Sequence, residues 1–152
     1  MNKLLLLLMS AAALGAAEKD DVVAAVQRTF DAMQARDAAA IRATMLPEAQ
    51  FFVVLDDGRV RATTLDQFAA RIGETKEPLL ERMWNPTVRI SGRLATLWVD
   101  YDFHRNGTFS HCGVDAVHLL KTPEGWKLAS IAYTMQTKGC APGPLGAPKG
   151  AK

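Results

Sequence analysis

The sequence has few of the residues that reveal a protein's class at first sight. Its 152 residues include two cysteines, two tyrosines and three histidines, and basic side chains outnumber acidic ones by only two. It contains no nucleophile elbow, phosphate-binding glycine loop, CxxC pair or zinc-ligand spacing. A nearly neutral chain has no particular attraction for nucleic acid or an anionic membrane. These absences exclude several common functional classes, and we predict no metal and no cofactor.

Hydrophobic runs long enough to cross a membrane are also missing. After the positive start at Lys3, residues 4–17 are almost free of polar side chains, but a spanning helix needs about 20 apolar residues. The small residues Gly15 and Ala17 complete the pattern of a signal peptide, residues 1–17, cut after Ala17. Cleavage leaves 135 residues with 17 basic against 16 acidic side chains. We therefore predict a periplasmic or secreted protein that leaves the membrane after cleavage.

The two cysteines, in an exported chain, predict one disulfide between Cys112 and Cys140. The alternative is a catalytic or redox thiol. From residue 139 to 152 the chain is rich in glycine and proline and cannot build a core, so we predict a disordered tail beyond Cys140.

The first half of the chain predicts three helices and a hairpin. Apolar residues at helical spacing, Val22, Val26, Phe30 and Met33, indicate an amphipathic helix over 20–34. Asp37 is a cap for a second helix over 38–45, which ends before a proline. Strands over 50–55 and 59–62 flank an Asp-Gly turn, and a capping box at 64–67 begins a third helix.

The second half predicts a meander of four strands. The first lies within 79–90 and contains Pro86, which indicates an edge strand or a bulge. The others span 94–104, 110–121 and 126–137. Asn106-Gly107 is typical of a type I′ turn, and Pro123-Glu124-Gly125 marks the next turn. The element order indicates an α+β fold with its helices on one side of an antiparallel sheet.

This order, from residue 20 to 137, with the closing pattern HCGVDAVHLLKTPEGWKLASIAYT, resembles the nuclear transport factor 2-like superfamily, in its SnoaL-like and lumazine-binding-like branch. The resemblance implies one domain over 18–138, in which a cone-shaped curved antiparallel sheet of about six strands wraps around three N-terminal helices. It also implies a pocket inside the cone and a homodimer. It does not imply one activity, because a single fold hosts many functions.

The two turns also predict which side chains face each other. If both hairpins are regular, the pairs are Asp102 with His111, Asp100 with Gly113, Trp98 with Asp115, Asp115 with Ala132, Val117 with Ser130, and Leu119 with Leu128. Side chains then alternate between two faces. One face is nearly all apolar; the other, the graded face, is apolar at one end and carries acidic residues and histidine at the other. We expect the graded face to line the pocket, since pockets combine apolar walls with a few polar groups. The alternative places the helices on the apolar face.

Three residues of the graded face are candidates for catalysis. Asp102 beside His111 could fix the tautomer of the imidazole and make it a general base; the alternative is a polar pair at the sheet rim. Asp115, beside apolar neighbours, could have a raised pKa and act as a base or as a hydrogen-bond donor. The alternative is a buried aspartate that orders the sheet.

Ligand contacts are predicted for the rest of that face and for the first helix: Trp98, Asp100, His104, Ser130, Thr134 and Phe30. A metal set of Asp102, His104 and His111 is an alternative that no supporting residue favours. His118 falls on the opposite face, where we expect a core or interface histidine. Arg82 could lie opposite Asp102 in one of several registers.

Three functions remain open. The first is an exported domain that binds a small, partly apolar molecule in the cone. The second is an acid/base enzyme, an isomerase, cyclase or hydrolase, that uses Asp102, His111 and Asp115. The third is a non-catalytic dimerisation module whose cone is filled with side chains.

Overall fold

A computed structural model describes the backbone of residues 2–148 and the side chains of residues 13–148. Met1 of the predicted signal peptide, the end of the predicted tail at 149–152 and the side chains of residues 2–12 lie outside the described part. Nine elements occur in it: α1 (Asn2–Ala35), α2 (Ala38–Thr44), β1 (Met45–Leu55), β2 (Val60–Thr64), α3 (Leu65–Glu74), β3 (Leu79–Ser91), β4 (Leu94–Arg105), β5 (Thr108–Thr122) and β6 (Gly125–Met135).

Helix α1 packs on the sheet through the stripe that the sequence predicts. Val22, Val26, Phe30 and Met33 are all buried. The helix begins at Asn2 and continues unbroken past the predicted cleavage position at residue 17. The first buried side chain is Val22, so cleavage there would remove no core residue of the described part. Cleavage itself stays a prediction. No helix in the described residues is long and apolar enough to cross a bilayer.

The predicted helix caps of α2 and α3 are present. The Asp37 carboxylate accepts a hydrogen bond of 2.9 Å from the backbone N–H of Ala40. At α3, the Thr64 hydroxyl accepts from the N–H of Gln67, and the Gln67 side chain accepts from the N–H of Thr64. Both devices satisfy backbone donors that a helix start leaves without partners.

The six strands form one curved sheet in the order β2-β1-β6-β5-β4-β3. The α+β prediction is confirmed, with one correction. Neighbouring strands are antiparallel except β1 and β6, which run parallel, so the sheet is mixed. The reason is topological: the meander of four strands, β3 to β6, returns to the middle of the sheet, where its last strand lies along β1 in the same direction.

Two local predictions for the strands are confirmed. Asn106 and Gly107 both have positive φ, at 49° and 73°, as a type I′ turn requires. The register of β3 against β4 shifts between Trp84 and Thr87, around Pro86, and β3 is also an edge strand. A proline has no N–H to give to a ladder, so it lies where pairing is interrupted.

The predicted pairing inside the meander is mostly wrong, because two strands contain a bulge. In β5, Ser110 has no partner: His104 pairs with Phe109, and Phe103 with His111. In β6, the extra residue is Ala129. Leu119 pairs with Leu128 as predicted, but His118 then pairs with Ser130 and Ala129 has no partner. Beyond these bulges each predicted pair is displaced by one residue: Asp102 faces Cys112, Asp100 faces Val114, Trp98 faces Ala116, Asp115 faces Tyr133, and Val117 faces Ile131.

A displacement of one residue moves a side chain to the other face of a strand relative to its neighbours. The inner face, which the helices cover, therefore combines both predicted faces, with Tyr101, Phe103, His111, Asp115 and Tyr133 on it. The outer face carries the alternate residues of β4, β5 and β6. The expectation that the pocket is lined by the whole graded face is wrong.

The predicted disulfide between Cys112 and Cys140 is present and attaches the C-terminal segment to the outer face. Residues 141–148 have no regular secondary structure. Gly143 lies against the indole of Trp84, and the Arg82 guanidinium donates a hydrogen bond of 2.9 Å to the carbonyl of Gly146. Disorder of this tail in solution stays a prediction.

Reduction of the disulfide is expected to lower the free energy of unfolding by about 3–4 kcal/mol, since the bond closes a loop across a separation of 28 residues. Urea denaturation with and without reductant measures the change. The double variant Cys112→Ser/Cys140→Ser serves as the control and should not respond to reductant. A loss below about 1 kcal/mol would contradict the expectation.

Candidate functional site

A cavity of about 660 Å³ lies between the inner face of the sheet and helices α1 and α3. That volume is within the range of small-molecule pockets. Its walls are mainly aromatic and aliphatic, with two carboxyl groups, two tyrosines, one histidine and three arginines among them. The walls include Phe30, Met33, Phe51, Phe68, Ile72, Glu81, Tyr101, Phe103, His111, Asp115, Ile131, Tyr133, Arg61, Arg71 and Arg105.

The two carboxyl groups, of Glu81 on β3 and Asp115 on β5, form a hydrogen-bonded pair. Burial raises the pKa of Asp115 to about 7, and its hydrogen bond with Glu81 opposes that rise. Burial and then the charge of Asp115 raise the pKa of Glu81 well above its usual range. Two adjacent buried carboxyls do not both ionise easily, so the pair holds a proton near neutral pH. Oδ2 of Asp115 is buried and has no hydrogen-bond partner in the described part.

Glu81 is the main site residue that the sequence analysis missed. It lies in the segment Leu79-Leu80-Glu81-Arg82-Met83, where Leu79 and Met83 share its face because side chains alternate. Leu79 is buried and Met83 packs against the core. A carboxylate between two core residues of one strand face is the signal that could have identified it.

Tyr101 crosses the floor of the cavity because its neighbour on β5 has no side chain. It pairs with Gly113 and is 1% exposed, and its hydroxyl donates a hydrogen bond of 2.8 Å to the carbonyl of Thr134 on β6. A Cβ atom at Gly113 would collide with that carbonyl. Burial, followed by the charges of Asp115 and Glu81, raises the pKa of Tyr101, so the phenol stays protonated.

His111 is a neutral imidazole in the wall of the cavity. Its ring stacks on Phe103 at a centroid distance of 4.9 Å, and its Nδ1 lies 3.0 Å from the Ser110 hydroxyl. Burial, followed by the positive charge of Arg105, lowers the pKa of His111 to about 4. At neutral pH the ring can accept or donate a hydrogen bond without carrying charge.

The structure places three of the nine predicted site residues in this cavity, namely Phe30, His111 and Asp115. The other six lie on the outer face: Trp98, Asp100, Asp102, His104, Ser130 and Thr134. Their predicted position in the cone is wrong, because the helices cover the face of β4 that carries Tyr101 and Phe103. The bulges at Ser110 and Ala129 then separate the predicted partners His111 and Asp115 from the outward residues of β4.

Asp102 belongs to a separate cluster on the outer face. Arg82 lies opposite it, as one predicted register allowed, and donates two hydrogen bonds of 2.9 and 2.6 Å to its carboxylate. Nε2 of His104 lies 3.3 Å from the same carboxylate. Burial raises the pKa of Asp102, but the hydrogen bonds from Arg82 and His104 outweigh burial and hold it below its usual range. The general-base pair of Asp102 with His111 does not form.

The alternative metal set is also divided, because Asp102 and His104 lie on the outer face and His111 on the inner one. In the described residues no group of three or more histidine, cysteine or acidic side chains is arranged to hold a metal ion. His118 does not lie on the face opposite Asp102 and His104, as predicted, but on the same outer face, where its Nδ1 lies 3.0 Å from the Ser130 hydroxyl. The residue is exposed, so the expected core position is wrong.

A second, more open cavity of about 710 Å³ lies on the outer face, next to the disulfide-linked segment 139–142. Three predicted ligand contacts, Trp98, Asp100 and Thr134, line it. Asp100 accepts a hydrogen bond from Asn85 and Thr134 accepts one from the N–H of Val114, so both have partners within the protein. Trp98 is 58% exposed.

Solved structures place this fold in a known class. An NTF2-like protein with a cystatin-like fold from Novosphingobium aromaticivorans matches with a TM-score of 0.67 and 16% identity, over 92% of this chain and 94% of that one. An NTF2-like superfamily protein from Salmonella enterica gives 0.65 and 19%, over 85% and 99%. A protein from Streptomyces avermitilis described as a putative dehydratase of the NTF2-like family gives 0.65 and 15%, over 82% and 99%. At these identities the likeness concerns the fold, which is that of the NTF2-like superfamily.

The family itself follows from the sequence match. The family described as "Putative lumazine-binding" matches residues 17–134, which is most of the chain, and the protein belongs to that family. The match covers the six strands up to Thr134, one residue before the end of β6, and the part of α1 that packs on the sheet. No curated protein matches the sequence.

The raised pKa of Asp115 predicts how stability depends on pH. Between about pH 4 and 7 the folded protein holds a proton that the unfolded chain, with an ordinary carboxyl of pKa 3.8, has released. The free energy of unfolding should therefore fall as the pH rises through this window, by on the order of 1.4 kcal/mol for each unit of raised pKa.

His111 has the opposite effect over the same range, because its pKa is lowered, and the wild type alone would mix the two. The comparison is therefore between wild type and Asp115→Asn, in urea denaturation at pH 4 to 8. The advantage of the wild type over the variant should shrink as the pH rises. Asp66→Asn, at an exposed aspartate of α3, controls for the loss of one charge. A difference independent of pH would show that Asp115 ionises normally.

Proposed function

We propose that the protein binds a small, partly apolar molecule in the cavity of its inner face. The observation that carries this proposal is the unsatisfied oxygen of Asp115 at a cavity wall. An unpaired polar atom buried in a protein costs stability, and native proteins usually satisfy such atoms. A ligand with an N–H or O–H group would supply the missing hydrogen bond.

The remaining walls support a ligand rather than a solid core. A cavity of about 660 Å³ is large enough for a molecule of drug-like size, which disfavours the dimerisation module with a filled cone. Aromatic side chains from α1, α3, β1 and β4 offer flat apolar surfaces for a ring. Family membership points the same way, since the family's description names a small-molecule ligand.

A second candidate function is acid–base catalysis by the same carboxyl pair. Asp115 with a pKa of about 7 could take a proton from a bound molecule at neutral pH, while protonated Glu81 holds it in place. Tyr133 and His111 are further hydrogen-bonding groups in the same cavity. This role replaces the predicted one for Asp102, which lies on the other face. A carboxyl pair that releases no proton between pH 5 and 9 would rule it out.

Blocking the cavity should abolish binding. Thr63 is a half-buried wall residue, so Thr63→Trp would place an indole in the cavity. With neutral 2-naphthol as the probe and protein-observed NMR as the readout, we expect at least a tenfold loss of affinity. Mass spectrometry of denatured protein would identify any natural ligand that co-purifies.

Thr96→Trp is the matched control, since Thr96 is also a half-buried strand threonine but lines neither cavity. Its affinity for 2-naphthol should stay within about twofold of the wild type. Equal binding by wild type and Thr63→Trp would place the probe elsewhere. No binding by the wild type up to millimolar probe would contradict the proposal.

Export to the periplasm or the exterior is part of the proposal. It is supported by the signal-like residues 1–17 and by a disulfide, which persists mainly in oxidising compartments.

A homodimer through the outer face is also proposed. Trp98 is 58% exposed and Val54 is 41% exposed, beside half-buried Val114, Ala116 and Ala132. A second copy is the partner that the resemblance to the superfamily implied, and burial of such a face would stabilise association.

In sedimentation velocity, the wild type should be dimeric at micromolar concentration and Trp98→Glu should be monomeric, because a charge would be buried in the interface. Ala24→Glu adds the same charge on the exposed side of α1 and should leave the dimer intact. A wild type that is monomeric at 100 μM would refute the dimer.

A further inference from the structure

The entrance of the inner cavity is strongly basic. Arg61 on β2, Arg71 on α3 and Arg105 at the end of β4 all line the cavity and are all exposed to solvent. Asp115 and the aromatic wall residues Phe30, Phe51 and Phe68 are buried. The three arginines therefore lie on the solvent-exposed part of the cavity wall, and Asp115 lies inside.

These arginines are available to a ligand. Within residues 13–148, neither Arg61 nor Arg71 forms an ion pair. Arg105 has a single one, with Glu77 at 3.4 Å, and both side chains are more than half exposed. The Arg71 guanidinium lies over the ring of Phe68 at 5.4 Å, which holds it against the cavity wall. A guanidinium is always charged and its planar donors match an acid group.

The positive charges of the three arginines affect groups inside the cavity, and the acidic side chains of the cavity do not neutralise them. Arg105 contributes to the lowered pKa of His111, and Arg71 and Arg61 both oppose the rise in the pKa of Tyr133 that burial causes. Among the cavity's lining residues the acids are Glu81 and Asp115, and since the pair holds a proton near neutral pH, together they carry at most about one negative charge. Three positive charges at the opening exceed it.

The inner end of the cavity, at Asp115, requires a ligand group different from an acid. Oδ2 of Asp115 is buried and has no hydrogen-bond partner among the described residues, so the ionised carboxylate can accept a hydrogen bond there. An acid group at this end would be repelled by the carboxyl pair. A hydroxyl or amine hydrogen would be bound, and it would satisfy the buried oxygen.

We infer that the ligand is a small organic anion, with an acid group among Arg61, Arg71 and Arg105, an apolar ring-sized body, and an N–H or O–H group that reaches Asp115. This inference rests on the proposed binding function and adds the class and the orientation of the ligand. A carboxylate and a phosphate would both serve as the acid group.

Matched bicyclic probes test the inference in isothermal titration calorimetry at pH 7. The probes are 6-hydroxy-2-naphthoate, its neutral primary amide, 2-naphthoate and 2-naphthyl phosphate. We expect the hydroxy acid to bind at least tenfold more tightly than the amide, and this preference to shrink as the ionic strength rises. Comparison of 2-naphthoate with the phosphate determines which acid group the opening prefers.

Variants locate each end of the ligand. Arg61→Gln and Arg71→Gln should each weaken 6-hydroxy-2-naphthoate about five- to tenfold and change the amide less than twofold. Arg89→Gln removes the same charge from an exposed arginine that does not line the cavity, and should have no effect. Asp115→Ala, which removes the acceptor, should abolish the advantage of the hydroxy acid over 2-naphthoate. Circular dichroism confirms that each variant is folded.

The outcomes separate this inference from the proposed function. If the amide binds as tightly as the acid, and Thr63→Trp abolishes its binding, the cavity binds small molecules but the ligand is not an anion. If the acid binds and Arg89→Gln weakens it as much as Arg61→Gln, the preference is an effect of net charge and the inference is wrong. If none of the four probes binds, both proposals fail.

Discussion

Ser110, an extra residue in β5, determines which side chains of the central hairpin reach the helices. Side chains alternate along a strand, so one unpaired residue reverses the faces of everything beyond it relative to the neighbouring strand. His111 thereby joins Tyr101 and Phe103 on the inner face. The Ala129 bulge in β6 does the same for Tyr133, which then lies beside Asp115. The chemistry of the cavity depends on these two insertions.

The two faces of the sheet use the same residue types for different purposes. On the outer face, Asp102 receives two hydrogen bonds from Arg82 and has a lowered pKa, so its charge is stabilised within the protein. On the inner face, Asp115 has a carboxyl group as its neighbour and a raised pKa. In the first arrangement both oxygens of the aspartate have a hydrogen-bond donor. The second leaves an acceptor without a partner, and this is typical of a binding or reaction site.

The elements around the cavity are stabilised by burial of apolar side chains and by helix caps. Residues Val22 to Met33 of α1 bury a continuous apolar stripe, and Leu119 of β5 and Leu128 of β6 are fully buried in the same core. Helix caps at Asp37 and Thr64 fix the other two helices. With these parts rigid, the polar groups inside the cone can be held in place without a bound ligand.

The sequence by itself determined the features that depend on neighbours in the chain. Apolar spacing predicted the buried face of α1, the Asp37 and Thr64 caps predicted where α2 and α3 begin, and Asn106-Gly107 predicted a type I′ turn. The pairing of the two cysteines also followed, because there were only two. Tertiary structure alone decided which side chains share the cavity. A bulge at Ser110 or Ala129 has no marker among its neighbours, since it depends on how three strands fit together, and Glu81 meets Asp115 only after β3 and β5 lie on either side of β4.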